Sequence, residues 1–306
     1  NVMKLIKRVL TKKILDMLND IAKDNTEYLK FYKNFANSLK LGMYQEKGDI
    51  PQKLAKFLRY KTTKSGDEYI SLDDYIDRMD KSQEQIYLIT GMNIDEVKNS
   101  PFLEAFSNYE VIFMVEPIDE FIIQALMKYR DIEFQRITSE GVKLPGEDKK
   151  DENKNADSED LLKAMKETLG ELVDKVIVSP HLTKSACIVS SSKYAYSSTM
   201  EKILRAQPGA ADNVMFDSGF MTKKIFEINP NHPVIVDLNN KRINNLTNEF
   251  TDGVKLIFET SMLECGYALN NISSYTSKVF GYIERSLRSS NNNNETNQMN
   301  NNSVEN

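Results

Sequence analysis

Two apolar helical segments close the patterned part of the chain, Asn248 to Leu269 and Ser273 to Leu287, and they constrain everything before them. In the second, Tyr275, Val279, Tyr282 with Ile283, and Ser286 with Leu287 recur at the spacing of one helix face. In the first, Val254, Ile257, Phe258, Met262 and Cys265 form one stripe, and Leu256, Leu263 and Tyr267 form another. A surface helix needs a single apolar stripe, so two stripes require cover on both sides. Little apolar sequence follows Leu287 to provide it. A second copy of the same pair gives the simplest cover, as a four-helix bundle across a two-fold axis. Val254, Ile257, Phe258, Met262, Tyr275, Val279, Ile283 and Leu287 are then the expected interface. About six large apolar side chains per copy, at ~1.5–3 kcal/mol each, give roughly 18–36 kcal/mol gross for the two copies. Association costs ~4–15 kcal/mol plus side-chain ordering, so burial wins and a homodimer is expected. The competing arrangement packs the outer stripe on the chain's own upstream domain.

With 306 residues there is room for about two domains of ordinary size. The net charge is -5 and no basic block appears, which argues against a nucleic-acid groove or a patch for anionic membranes. No apolar run approaches the ~20 residues of a membrane span. Cys187 and Cys265 lie far apart with no further cysteine, so free buried thiols are expected rather than a disulfide framework. The chain opens at Asn1 directly in a helical pattern, which reads as a piece of something longer whose targeting segment would be lost with the missing part.

In order, Val2 to Ile21 is an amphipathic helix with a basic face, built on Leu5, Val9, Ile14, Leu18 and Ile21. A second helix carries Tyr28, Phe31, Phe35 and Leu39 and is expected to stop at Leu41-Gly42. A short helix at Leu54 to Leu58 and another capped by Ser71, with Asp73 and Asp74 in its first turn, complete a mostly helical stretch. The texture then changes. Gln85 to Thr90 reads as a buried strand ended by Gly91, Pro101 to Phe106 as a helix, Tyr109 to Val115 as a strand, Ile118 to Leu126 as a helix and Ile132 to Ile137 as a third strand. That alternation predicts a small α/β layer with parallel pairing. From Pro145 to Ser158 the chain is proline, glycine and charge, a linker. Beyond it, Ser158 is expected to cap a helix through Leu169, Val176 to Val178 and Ser185 to Ser190 read as strands, and Ser198 is expected to cap a helix through Ala206. Ile225 to Ile228 is a strand and Pro233 starts a helix through Leu238. The expected fold is thus α/β and α+β: a helical segment with a small βαβ layer over 1–144, a charged linker at 145–157, and an α+β domain over 158–288 ending in the helix pair. An asparagine-rich tail, 289–306, shows no periodicity and is expected to be disordered.

Chemistry is sparse. No glycine-rich phosphate loop occurs, and His181 and His232 have no partner at metal-ligand spacing, so both read as loop or cap residues and no metal site is expected. Glu116, Asp119 and Glu120 could pair as acid and base, but read better as acids at a helix start. Met200, Met215, Phe216, Phe220 and Met221 cluster in a segment too broken by Pro208, Gly209 and Gly219 to be one core helix. Flexible methionines and aromatics there suit binding to varied apolar surfaces, or simply fill a core.

Several stretches closely resemble the heat shock protein 90 chaperones. They are Leu58 to Tyr60, Ser71 to Tyr75, Gln85 to Gly91, Ser100 to Ala105, Tyr109 to Phe113 and Glu116 to Glu120, with Phe35 to Gly42, Met200 to Gln207, Phe226 to Pro230 and Phe258 to Thr260. The resemblance covers Asn1 to about Leu287. It implies that residues to about Leu144 are the later part of that family's middle domain, and that Ser158 to Leu287 are its C-terminal dimerisation domain. The family's ATP-binding domain would precede this segment, so the resemblance implies no catalytic residue, no cofactor and no enzyme activity here, with ATP and magnesium serving the longer parent. Client-contacting positions of the family fall on Tyr196 and Met200, where Ala195 to Lys202 departs from the usual Gly-Trp-Ser-Ala-Asn-Met-Glu-Arg. Amphipathic client contacts fall near Met215 to Met221. The end, Ser303 to Asn306, is neither the Met-Glu-Glu-Val-Asp tail that recruits tetratricopeptide co-chaperones nor a Lys-Asp-Glu-Leu retention signal. Asn229 to Pro233 and Glu259 to Tyr267 look more like organellar forms (plastid, mitochondrion or endoplasmic reticulum) than cytoplasmic ones. The expected function is a dimeric chaperone segment that binds partly folded clients. The rivals are a dimerisation scaffold without clients and an α/β enzyme using the 85–137 layer.

Overall fold

The computed structural model describes residues 2–146, 158–192, 195–208 and 224–302, with side chains to Arg288. Helix α1 (Val2–Ile21) has the expected bounds, yet only Leu18 is fully buried, and Leu5, Val9 and Ile14 are exposed. Asp24 then starts α2 (Asn25–Gln45) by accepting hydrogen bonds from the backbone N–H groups of Thr26 (2.9 Å) and Glu27 (3.2 Å). The expected stop at Gly42 does not occur. Gly42 stays inside the helix and accepts from the Glu46 N–H, and its bare face lies toward Leu54 of α3 (Ile50–Ala55). Packing here overrides the stop signal.

Five strands form the first lobe's mixed sheet in the order β1-β3-β2-β5-β4. The central strand β2 (Gln85–Thr90) runs parallel to β3 (Ile112–Met114) and to β5 (Ile132–Arg136), as the alternation predicts. Two antiparallel edge strands, β1 (Lys61–Thr62) and β4 (Lys128–Tyr129), are two residues each, too short to leave a pattern. The crossovers carry α5 (Ile94–Lys98), a 3₁₀ turn at Pro101–Phe106 and α6 (Asp119–Leu126), while α4 (Leu72–Arg78) precedes β2. The α4 cap is reciprocal: Asp74 N–H donates to Ser71 Oγ (3.0 Å) and Ser71 N–H to Asp74 Oδ2 (2.9 Å).

The second lobe has a three-stranded sheet, β6-β8-β7. Its middle strand β8 (Lys224–Ile228) is parallel to β6 (Lys175–Val178) and antiparallel to β7 (Cys187–Ser191). Helix α7 (Glu159–Leu169) ends at Gly170, which takes a positive φ of 54°; Ser158 precedes it without a side-chain capping bond, contrary to expectation. Helix α8 (Ser198–Arg205) is capped by Ser197 rather than Ser198, because Ser197 holds the extended backbone that lets its Oγ accept from Met200 N–H at 3.0 Å. Helices α9 (Pro233–Ile243) and α10 (Thr247–Glu264) approach so closely that a Cβ on Gly253 would lie 2.5 Å from Leu238 Cδ2. Helix α11 (Ile272–Asn302) continues past Leu287 into the asparagine-rich stretch expected to be disordered. Propagation fixes one residue per hydrogen bond gained, so a formed helix extends where the same residues would not nucleate one. Cys187 and Cys265 are free thiols; Cys187 Sγ lies 2.9 Å from Ser261 Oγ, and burial pushes its pKa up to about 11.

Three buried clusters hold these elements, and the third is shared: Tyr87, Phe102, Phe106, Ile137 and Val142 of the first lobe join Leu182 and Ile188 of the second. In the first cluster a cation is enclosed. Lys40 is 1% exposed and its Nζ lies 2.8 Å from Asp119 and 2.9 Å from Glu116, while the Tyr60 hydroxyl donates to Asp119 (3.1 Å). Burial pulls the ammonium pKa down, but Asp119, Tyr32 and Glu116 outweigh it and hold the pKa above its ordinary value. Replacing Lys40 with Met leaves Asp119 buried and unpaired. The expected loss is ~3–5 kcal/mol, read as a lowered midpoint in urea unfolding.

Candidate functional site

The segment singled out for apolar binding begins at α8. Tyr196 is half-buried, and Met200 is buried at 3% exposure, so Met200 does not lie on an accessible surface. Met215, Phe216, Phe220 and Met221 lie outside the described residues. The polar groups around Met200 are also enclosed and bonded. Ser197 Oγ donates to Glu120 Oε1 (2.5 Å) in the first lobe, and Glu120 also receives Arg136 at 3.3 Å. Glu201 is buried and takes Arg205 Nη2 at 2.8 Å and Lys224 Nζ at 3.3 Å. Lys224 in turn sits 4.8 Å from the centre of the Tyr267 ring. Lys202 reaches Glu96 at 3.2 Å. Ser197 and Glu201 are thus buried with their polar atoms satisfied, alongside Met200 on the same short helix.

The carboxylates Glu116, Asp119 and Glu120 are all engaged in these ion pairs and hydrogen bonds, and Asp119 also accepts the Glu116 N–H at 3.1 Å. His232 is a helix cap, its Nδ1 accepting from Val234 N–H at 3.3 Å. Among the described residues no group of three metal-ligating side chains comes together, and no helix is long and apolar enough to cross a membrane.

The last two helices divide the expected interface. Val254 and Phe258 are buried inside their own lobe, where Phe258 meets Phe226 of β8 edge-to-face at 5.4 Å, and Ile257 and Met262 pack partly on the same cluster. Placing Val254 and Phe258 at an interface between copies is therefore corrected: that stripe closes the chain's own core. Tyr275 and Val279 are half-buried, and the Tyr275 hydroxyl lies 3.3 Å from Thr260 Oγ1 on α10. Lys278 pairs with Glu259 at 2.7 Å alongside. Ile283 and Leu287 are exposed. Two further outward residues escaped the sequence reading, Ile272 at 66% and Phe280 at 65% exposure, and Leu263 of α10 is exposed near them in sequence. Ile272, Phe280, Ile283 and Leu287 are spaced eight, eleven and fifteen residues along one helix, a legible stripe masked by the stronger aromatic one beside it.

Burial of Met200 is checked by mild peroxide treatment and peptide mapping of the folded chain. Met127 and Met3, exposed at 70% and 78%, should oxidise first, and Met200 should stay reduced until the chain unfolds.

Comparison with known proteins finds a match to the family model described as Hsp90 protein over residues 1–306. Heat shock protein 90 of Encephalitozoon cuniculi is 40% identical over 283 residues, 92% of this chain and 41% of that protein. Heat shock protein 83 of Leishmania donovani is 36% identical over 299 residues, 94% of this chain and 64% of that protein. An endoplasmin homologue of Catharanthus roseus is 35% identical over 312 residues, 94% of this chain and 38% of that protein. The chain thus spans less than two thirds of each of these relatives.

Proposed function

Because the chain belongs to the Hsp90 protein family of chaperones, we propose that it works as a homodimer that binds partly folded proteins, with self-association through its last helix. Membership corrects one expectation from the sequence. The exclusion of enzyme activity rested on a nucleotide domain lying elsewhere, but the family model covers residues 1–306 and the Hsp90 family is one of ATPases. ATP with magnesium is the proposed cofactor pair of the whole protein.

The observation that carries the dimer is the outward stripe Ile272, Phe280, Ile283 and Leu287. Four such side chains per copy, at ~1.5–3 kcal/mol each, release roughly 12–24 kcal/mol gross when two copies pair. That exceeds an association cost of ~4–15 kcal/mol at most values in the range. With Val254 and Phe258 committed to the core, the proposed bundle is narrower than the one read from sequence, α11 against α11 with Leu263 of α10 at its margin.

Residues 1–144 are proposed to be the later part of the middle domain and 158–288 the C-terminal dimerisation domain. Client binding is assigned to Tyr196 and to Met215, Phe216, Phe220 and Met221, on the strength of the family resemblance. An organellar location is supported by the endoplasmin homologue among the relatives; Heat shock protein 90 matches over a similar stretch, and the cytoplasm is the alternative.

Sedimentation velocity of the chain at micromolar concentration should show a dimer, and Phe280→Ser with Ile283→Ser should yield a folded monomer. A dimer unchanged by both substitutions refutes α11 as the interface. Separately, Phe220→Ser with Met221→Ser should weaken suppression of a model protein's aggregation several-fold while leaving the dimer intact.

A further inference from the structure

One carboxylate joins the lobes through five hydrogen bonds. Glu104 lies in the Pro101–Phe106 turn of the first lobe, and it reaches across to the loop between β6 and β7. There its Oε2 accepts from the N–H groups of Thr183 (2.9 Å) and Lys184 (2.8 Å) and from Thr183 Oγ1 (3.3 Å). Its Oε1 accepts from Ser185 N–H (3.0 Å) and Ser185 Oγ (2.5 Å). Three successive backbone donors converging on one anion form a nest, and the anion filling it is a side chain of the other lobe. The same loop carries Leu182 into the shared apolar cluster with Phe102 and Phe106, and sets the His181 ring 6.2 Å from the Phe106 ring.

We propose that the loop from Ser179 to Ala186 is a releasable strap between the lobes, with Glu104 as its latch and Leu182 as its plug. Other ties share the polarity of the latch: Glu96 with Lys202, Glu120 with Ser197, and Glu140 with Lys175 all place the acid in the first lobe and the donor in the second. Glu104 differs from them in holding backbone amides. Its release frees the course of the loop, whereas loss of a side-chain pair frees only a side chain. Freeing Leu182 also opens an apolar recess on the first lobe, so release of the strap both loosens the lobes and exposes surface.

The charge state supports this geometry. Burial opposes ionisation of Glu104, but the Ser185, Lys184 and Thr183 donors outweigh it and hold the carboxyl below its usual range. A charged group facing it is Glu264 of α10, whose own carboxyl is pushed up by burial and by Glu104. A depressed carboxyl contributes fully above its unfolded value and is lost as pH falls through the lower folded value. Glu264 takes a proton first, which removes repulsion and leaves the latch charged until lower pH.

Hydrogen exchange of the full chain tests the strap, followed by mass spectrometry at peptides covering 179–189, 85–90 and 224–228. In Glu104→Ala the 179–189 peptide should exchange ~10-fold faster or more, while both strand peptides keep their protection. Ser185→Ala, which keeps the carboxylate and the three amide bonds, should raise exchange by less. Unchanged exchange in Glu104→Ala overturns the latch. Equal loss of protection in all three peptides overturns it as well, because Glu104 would then support the whole fold rather than one strap.

Discussion

Burial of one face of α10 decides what the rest of the molecule can offer to partners. Val254 and Phe258 close the second lobe's core on β8, and Gly253 lets α9 come close enough to seal the adjoining side. Once that face is used, α11 meets α10 through Tyr275, through Tyr282 beside Gly253, and through the Lys278–Glu259 pair. Its other side, with Phe280 and Ile272, is left facing water. An apolar stripe of that size on a helix end is what a subunit interface needs, and single scattered apolar residues would not be.

The pattern of elements was legible because each long one is strongly periodic or strongly branched. Helix α1 and strand β2 have the bounds read from sequence, and the parallel pairing of β2 with β3 and β5 follows from the alternation of strand and helix. What escaped is short or decided at a distance. The edge strands of two residues carry no period. Ser197 outcompetes Ser198 as a cap because Glu120, distant in sequence, fixes the Ser197 hydroxyl. At the site, periodicity located the two helices but could not say which stripe faces the chain's own sheet. Two stripes on one helix are equivalent until the partner surfaces are known. Met200 shows the same limit, since a methionine in an amphipathic helix suits a core and a binding surface alike.

The lobes are joined differently from how each is built. Inside a lobe the ties are apolar clusters and, at Lys40, an enclosed ion pair whose loss would strand a buried charge. Across the seam the ties are mainly carboxylates of one lobe on donors of the other, around a modest apolar cluster. These ties differ in depth: Glu120 with Ser197 is buried, whereas Glu96 with Lys202 and Glu140 with Lys175 are partly exposed and contribute little each. Backbone bonds cross the seam as well, from Glu140 N–H to Ser191 O at 2.8 Å and from Ser191 N–H to Thr138 O at 3.0 Å.

Those two features bear on each other. In the proposed dimer, pairing through α11 would hold the second lobes of two copies together and leave the seam between the lobes as the place where the first lobes can move. The loop that Glu104 holds carries Leu182, which with Ile188 brings the second lobe into the shared cluster. If both proposals hold, a dimer tied at one end with a latched seam could change the spacing of its apolar surfaces without separating.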